Sequence, residues 1–324
     1  MLTRRELIGA SLAALAVPKA ALAQQKLNVV ATTGMIADTV SRIGGDAVDV
    51  RGLMGPGIDP HSYRQTRSDI VTMTRADIVL WNGLFLEAQM KDVLERLAKR
   101  QPVVAVSDRL EAAARAGGAT PLIAHAEYHD AFDPHIWMDP AIWGGIAART
   151  AEALTELRPD DAATFDANLA AFQADLDALT AYGLDAMDKV PEHRRVLVTA
   201  HDAFSYFGRA FGLEVHGVQG ISTNSEAGLH RIRELVEMLA EREIKAVFVE
   251  SSVSDRNIRA LIEGVAAKGG TLSLGGQLYS DAMGTAGTYE GTYVGMLDHN
   301  ITTIARALGA DVPAAGLNGE LIQS

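Results

Sequence analysis

Short apolar runs alternate with stretches of helical periodicity along most of the chain. The first run is Leu27-Asn28-Val29-Val30-Ala31, followed by Val48 to Met54, Asp77 to Trp81 and Pro102 to Val106. After a long gap come Val196 to Thr199, Glu214 to Val218, Ala246 to Val249 and Thr271 to Leu274. Runs of this length separated by helical segments predict α/β units with mainly parallel sheets. In the gap, Phe165, Leu169, Phe172, Leu176 and Leu179 recur at steps of four and three and fall on one helical face. Pro159 suits the start of that helix and Pro191 lies just past its end. A closing helix from about Thr292 to Leu308 carries Val294, Leu297, Ile301, Ile304 and Leu308 as its apolar stripe and stops at Gly309. The pattern predicts two α/β lobes, residues 24–158 and 191–324, joined by one long helix over 159–190. A helical joint is stiff, so the cleft between the lobes is expected to hinge little.

Residues 1–23 read as an export signal. Arg4 and Arg5 form a basic start, Leu7 to Val17 is apolar, and Ala21-Leu22-Ala23 is a small-residue cleavage site. Thr3-Arg4-Arg5-Glu6-Leu7 also resembles a twin-arginine signal. No run of eighteen apolar residues follows, so no membrane span is expected in the body. The mature chain is expected to be soluble and periplasmic.

Charge and cysteine content then narrow the chemistry. The formal charge is −12, and loss of three bases (Arg4, Arg5, Lys19) and one acid (Glu6) with the signal leaves −14. That opposes binding to nucleic acid or anionic lipid. The sequence has no cysteine, so neither a disulfide nor thiolate ligation is available, and any metal must be held by histidine and carboxylate.

Four segments offer such donors in polar stretches near strand or helix ends: Asp59-Pro60-His61, Asp133-Pro134-His135, His201-Asp202 and Ser280-Asp281. Proline fixes its own φ and biases the preceding residue to extended backbone, which holds the following histidine on a rigid turn. The aspartate of each Asp-Pro-His can accept a hydrogen bond from the far imidazole nitrogen or from backbone amides. Two lobes facing each other would bring His61 and His135 towards His201 and Asp281. Three imidazoles and one carboxylate make a plausible tetrahedral zinc site, and a bidentate Asp281 would admit manganese.

These stretches, with Asn82-Gly83-Leu84, Leu86-Glu87, His135-Ile136-Trp137-Met138-Asp139-Pro140, Phe248-Val249-Glu250 and Tyr293-Val294-Gly295-Met296, resemble in order the cluster A-I substrate-binding proteins of ABC importers for zinc and manganese. The resemblance spans essentially the whole mature chain. It implies one Zn2+, or alternatively Mn2+, bound between the lobes by His61, His135, His201 and Asp281. Manganese-type members commonly have glutamate where this chain has His201, which tilts the expectation to zinc. The implied partner is the membrane permease of an ABC importer. A periplasmic metallochaperone is a candidate second partner, and a monomer is the expected form. The segment His125-Ala126-Glu127-Tyr128-His129-Asp130 lies where zinc-type relatives carry a His-rich acidic insertion. It is read either as a metal-capture loop through His125, Glu127, His129 and Asp130 or as a plain polar loop. Glu250 is expected to line the cleft or cap a turn. No enzymatic activity is expected: a zinc hydrolase needs an open coordination position, which Asp281 would close, and no HExxH motif is present. A metal adhesin or buffer without a transporter would need the same residues.

Overall fold

The computed structural model describes residues 25–125, 128–225 and 227–321. The export signal expected over residues 1–23 lies outside the described residues, as does Glu127 of the expected capture loop.

The first lobe alternates strand and helix: β1 (Leu27–Ala31), α1 (Gly34–Gly44), β2 (Val48–Gly52), α2 (Arg67–Arg75), β3 (Ile78–Trp81), α3 (Lys91–Leu97), β4 (Val103–Ala105) and α4 (Asp108–Arg115). Its sheet is wholly parallel, in the order β2-β1-β3-β4. The chain leaves central β1 to one side for β2 and returns to the other for β3. That reversal of strand order is where open α/β sheets leave a crevice beyond the strand carboxyl ends.

Two helices follow, α5 (Pro140–Leu157) and α6 (Ala162–Asp188), the latter entered through a tight 3-10 turn at Pro159–Asp161. Asp139 caps α5 by accepting from the Ala141 amide at 3.0 Å, and Pro140 occupies the first turn, where its missing N–H costs nothing. On α6, Phe165, Phe172, Leu176 and Leu179 are buried as the periodicity predicts, and Leu169 is half-buried.

The second lobe contains β5 (Val196–His201), α7 (Ser205–Phe211), β6 (Glu214–Gln219), α8 (Leu229–Glu241), β7 (Ala246–Glu250), α9 (Arg256–Ala267), β8 (Ser273–Leu278) and α10 (Tyr293–Ala307). The pairs β5–β6 and β7–β8 are parallel, and β5 lies beside β7. Strand β8 begins two residues later than its apolar run predicts and continues through Gly275-Gly276. A Cβ at Gly275 would meet Phe248 and Ala307, and one at Gly276 would lie 2.6 Å from the Thr303 methyl. Close packing under α10 therefore replaces β-propensity as the reason for this strand.

The largest apolar cluster is not confined to either lobe. It runs from β1 and α1 through α5 and α6 into α7 and α10. At its centre Trp143 of α5 stacks on Tyr293 of α10, with ring centroids 5.2 Å apart and planes 6° from parallel. Smaller clusters fill the outer side of each sheet. The long helix is thus a shared wall of the core and not a free strut.

Candidate metal centre

Three of the four candidate donors lie at or beyond strand carboxyl ends, the exception being His135, and all four come together where the two lobes meet. His61 sits in the loop between β2 and α2, and His135 in the segment between α4 and α5. His201 is the last residue of β5, and Asp281 follows β8. One ligand atom from each falls within 4.8 Å of the other three. His61 Nε2 and His135 Nε2 are 3.1 Å apart, and His135 Nε2 and His201 Nε2 are 3.4 Å apart. Asp281 presents Oδ1 to His135 Nε2 at 3.4 Å and Oδ2 to His201 Nε2 at 3.3 Å, with His61 Nε2 further off at 4.0 Å. Donor distances of ~2.0–2.2 Å place tetrahedral neighbours ~3.3–3.6 Å apart. Three of these separations fall at the lower edge of that window. The His61–Asp281 edge is the loosest of those given.

The site is dry. His135 and His201 are fully buried, and His61 and Asp281 nearly so. Neither oxygen of Asp281 has a hydrogen bond of acceptable geometry, although two Nε2 atoms lie close by. A buried carboxylate in that condition calls for a cation. Burial raises the pKa of Asp281, but the neighbouring charge of His201 and its contacts with His135 and His61 outweigh it and hold the carboxyl well below its usual range.

Supporting groups differ among the three histidines. Burial works against the charged form of His135, yet the Asp133 carboxylate on its ring, with Asp281 opposite, lifts its pKa to about 9. Asp133 Oδ1 accepts from the His135 backbone amide at 2.9 Å and lies 2.7 Å from ring Nδ1. Burial likewise opposes charge on His201, and Glu250 with Asp281 raises it well above the usual value. Glu250 Oε2 is 2.5 Å from His201 Nδ1, and Oε1 accepts from the His201 amide at 2.8 Å. In both cases a carboxylate on Nδ1 leaves Nε2 facing the centre. Asp59 behaves otherwise. Its Oδ1 accepts from the His61 amide at 2.8 Å, and its Oδ2 takes the hydroxyls of Ser62 and Thr223 at 2.9 and 2.6 Å, so the ring of His61 has no carboxylate of its own motif. Burial, joined by the two neighbouring imidazoles, pulls His61 down to about 4 against the pull of Asp281.

The sequence reading of Glu250 as a cleft-lining or turn-capping residue missed its place on His201. Glu87 was also missed as a support. Fully buried, it accepts from Thr32 Oγ1 and the Asn82 amide at 2.7 Å each, and from the Gly83 amide at 3.3 Å. It pins a turn in which Gly83, Leu84 and Phe85 all have positive φ. Asn82 in that turn donates to the Pro134 carbonyl at 3.1 Å, beside His135. The signal available in the sequence is the spacing Asn82-Gly83 to Glu87.

His125, His129 and Asp130 are not part of the buried group. They line a cavity of about 630 Å3 that also has His61 and Asn224 on its wall. His129 and Asp130 are exposed and His125 is half-buried. Three of the remaining histidines make local contacts: His299 Nε2 with the Gln277 carbonyl at 2.9 Å, His216 with Glu214 at 2.7 Å and His230 with Glu234 at 3.0 Å.

Residues 29–307 match the model of the family described as zinc-uptake complex component A, periplasmic. The chain belongs to this family. Among similar proteins, the zinc-binding protein TroA of Treponema pallidum (strain Nichols) is 46% identical over 290 residues, covering 90% of this chain and 91% of that protein. The manganese-binding lipoprotein MntA of Bacillus subtilis (strain 168) is 45% identical over 286 residues, covering 88% and 91%. The solved structure of TroA superposes with a TM-score of 0.83 at 45% identity, covering 88% of this chain and 99% of that one. Iron(III)-bound YtgA of Chlamydia trachomatis gives a TM-score of 0.79 at 28% identity, covering 89% and 100%. The α/β architecture with mainly parallel sheets and one long joining helix is therefore the family's own.

Proposed function

We propose that this chain is a periplasmic substrate-binding protein that captures one divalent transition-metal ion at His61, His135, His201 and Asp281 and delivers it to the membrane permease of an ABC importer. The observation that carries the reading is the buried meeting of three Nε2 atoms with a carboxylate that lacks hydrogen-bond partners. Family membership supplies the importer. Metal is the cargo, and binding is the chemistry: the ion displaces protons from His135 and His201 and satisfies Asp281.

Zinc is the favoured ion, because imidazole-rich ligation suits it. Manganese is the second reading, and one observation favours it: each Asp281 oxygen faces a different imidazole, so bidentate ligation is within reach. One relative is a zinc-binding protein and another of nearly equal identity a manganese-binding lipoprotein, so similarity does not choose between them. Native mass spectrometry with competition titration decides. One ion per chain with zinc held more tightly supports the reading; no bound ion in the purified mature chain would falsify it.

The same reading gives the chain no catalytic role, since Asp281 stands where a hydrolytic water would bind. Export by the N-terminal signal, a monomeric working form and loading by a periplasmic metallochaperone belong to it as well. The cavity position of His125, His129 and Asp130 supports their use as a capture loop, together with Glu127. Deleting the loop should slow zinc uptake; an unchanged uptake rate removes this part.

Among the described residues no helix is long and apolar enough to cross a membrane.

A further inference from the structure

The His61 loop is tied to the opposite lobe by one short turn between β6 and α8. Thr223 Oγ1 donates to Asp59 Oδ2 at 2.6 Å, and Asn224 Nδ2 donates to the His61 carbonyl at 3.2 Å. Asn224 is itself braced by Ser222, whose Oγ lies 3.2 Å from Nδ2, and Gln219 Nε2 holds the Ser225 carbonyl at 3.0 Å. Of the four candidate ligands only His61 lines the large cavity, which it shares with Ser222 and Asn224. His135, by contrast, is framed by contacts deep in the shared core. Trp137 Nε1 donates to the Ser280 carbonyl at 2.8 Å, Tyr206 Oη to the Asp133 carbonyl at 2.8 Å, and Tyr293 Oη to the Trp137 carbonyl at 2.8 Å.

We propose that Thr223 and Asn224 form an interlobe clasp that keeps His61 on the metal, and that metal leaves through the adjoining cavity when this clasp opens. The inference rests on the metal-capture reading above. Asp59 is the hinge of the device: one carboxylate orders the His61 amide and, through Thr223, spans the cleft. Opening it breaks two hydrogen bonds at the rim and leaves the other three ligands and the core in place. Thr223 and Asn224 are positioning residues; neither touches the ion.

The test loads the full mature chain with zinc and follows release into excess chelator by stopped flow. Thr223→Val keeps the shape and removes the donor, and Asn224→Ala removes the second. Loss of a hydrogen bond to a carboxylate corresponds to roughly ten-fold in rate, so Thr223→Val should accelerate release by about that factor. Asn224→Ala, which loses a bond to a neutral carbonyl, should do so by less, and the pair together by more than either. Thr223→Ser should restore the slow rate, and the zinc-free chain of every variant should still unfold in one cooperative transition. Wild-type release rates in Thr223→Val, or faster release that serine does not rescue, would overturn the clasp. If the wild-type chain holds no zinc or manganese, the metal-capture reading falls and takes the clasp with it. If the wild type loads normally and only the variants fail to differ, the clasp alone falls.

Discussion

The chain contains the tripeptide Asp-Pro-His twice, and the two copies do different work. At 133–135 the carboxylate is fully buried and grips both the backbone and the ring of its histidine. At 59–61 it is half-buried and spends its oxygens on an amide and two hydroxyls, one of them in the other lobe. The same three residues therefore fix the candidate ligand where the surroundings are core and tether it where they are rim. A local motif sets the turn; tertiary packing sets how firmly the ligand is held.

The widest separation of the two copies comes from removing the ligands. His135→Ala is expected to abolish tight zinc binding in a competition titration, because it empties a fully enclosed corner of the cage. His61→Ala should leave a weaker three-donor site with water entering from the cavity. Equal losses would break the comparison. Replacing the carboxylates should come next. Asp133→Asn removes an orienting partner from the imidazole and is expected to lower affinity by ~10–100-fold, measured the same way. Glu250→Gln should behave alike, since it stands in the same relation to His201. Asp59→Asn should change the release rate more than the uptake rate and cost less affinity than Asp133→Asn.

Acidity sharpens the contrast further. With its folded pKa raised to about 9 against the usual 6.5, His135 stabilises the zinc-free protein in its charged form below about pH 6.5 and loses that contribution as pH rises through about 9. Zinc must displace the same proton. The rise in melting temperature on adding zinc should therefore be smallest near pH 6 and grow towards pH 9, as read by differential scanning calorimetry. A zinc-induced shift that stays flat over this range would count against charged imidazoles in the empty cage. The smallest effect is expected from His125→Ala with His129→Ala at the cavity mouth, which should lower the association rate at low salt and leave equilibrium affinity nearly unchanged. Stopped-flow uptake at two ionic strengths measures it.

Much of this was legible in the sequence because the strands are short β-rich runs set between helical patterns, wholly buried in β5 and half exposed in β2 and β6. All eight strands among the described residues overlap such runs, and α6 follows its stripe of Phe165, Phe172, Leu176 and Leu179. The strand at Thr271 to Leu274 was legible only in part, since Gly275 and Gly276 carry no β signal and are small to let α10 approach. The four donors stood out through their motifs. Their supports did not. Glu250 ends a strand remote in sequence from β5, and nothing local says that β7 lies beside it. Thr223 and Asn224 sit in a turn whose composition is that of any surface turn, and their meaning arises only where it touches Asp59 and the His61 carbonyl. Adjacency across the fold is not written in periodicity.

The stacked pair Trp143 and Tyr293 at the seam sets how an importer can empty this protein. Spreading the lobes like a book would wet both rings and their neighbours, at about 3 kcal/mol for each large aromatic side chain uncovered. Lifting one loop at the rim forfeits only a few polar contacts that water replaces. A transporter mouth pressing on that edge thus has a far shallower slope to climb than one that must crack the spine, and the emptied carrier keeps its shape, ready to be filled again.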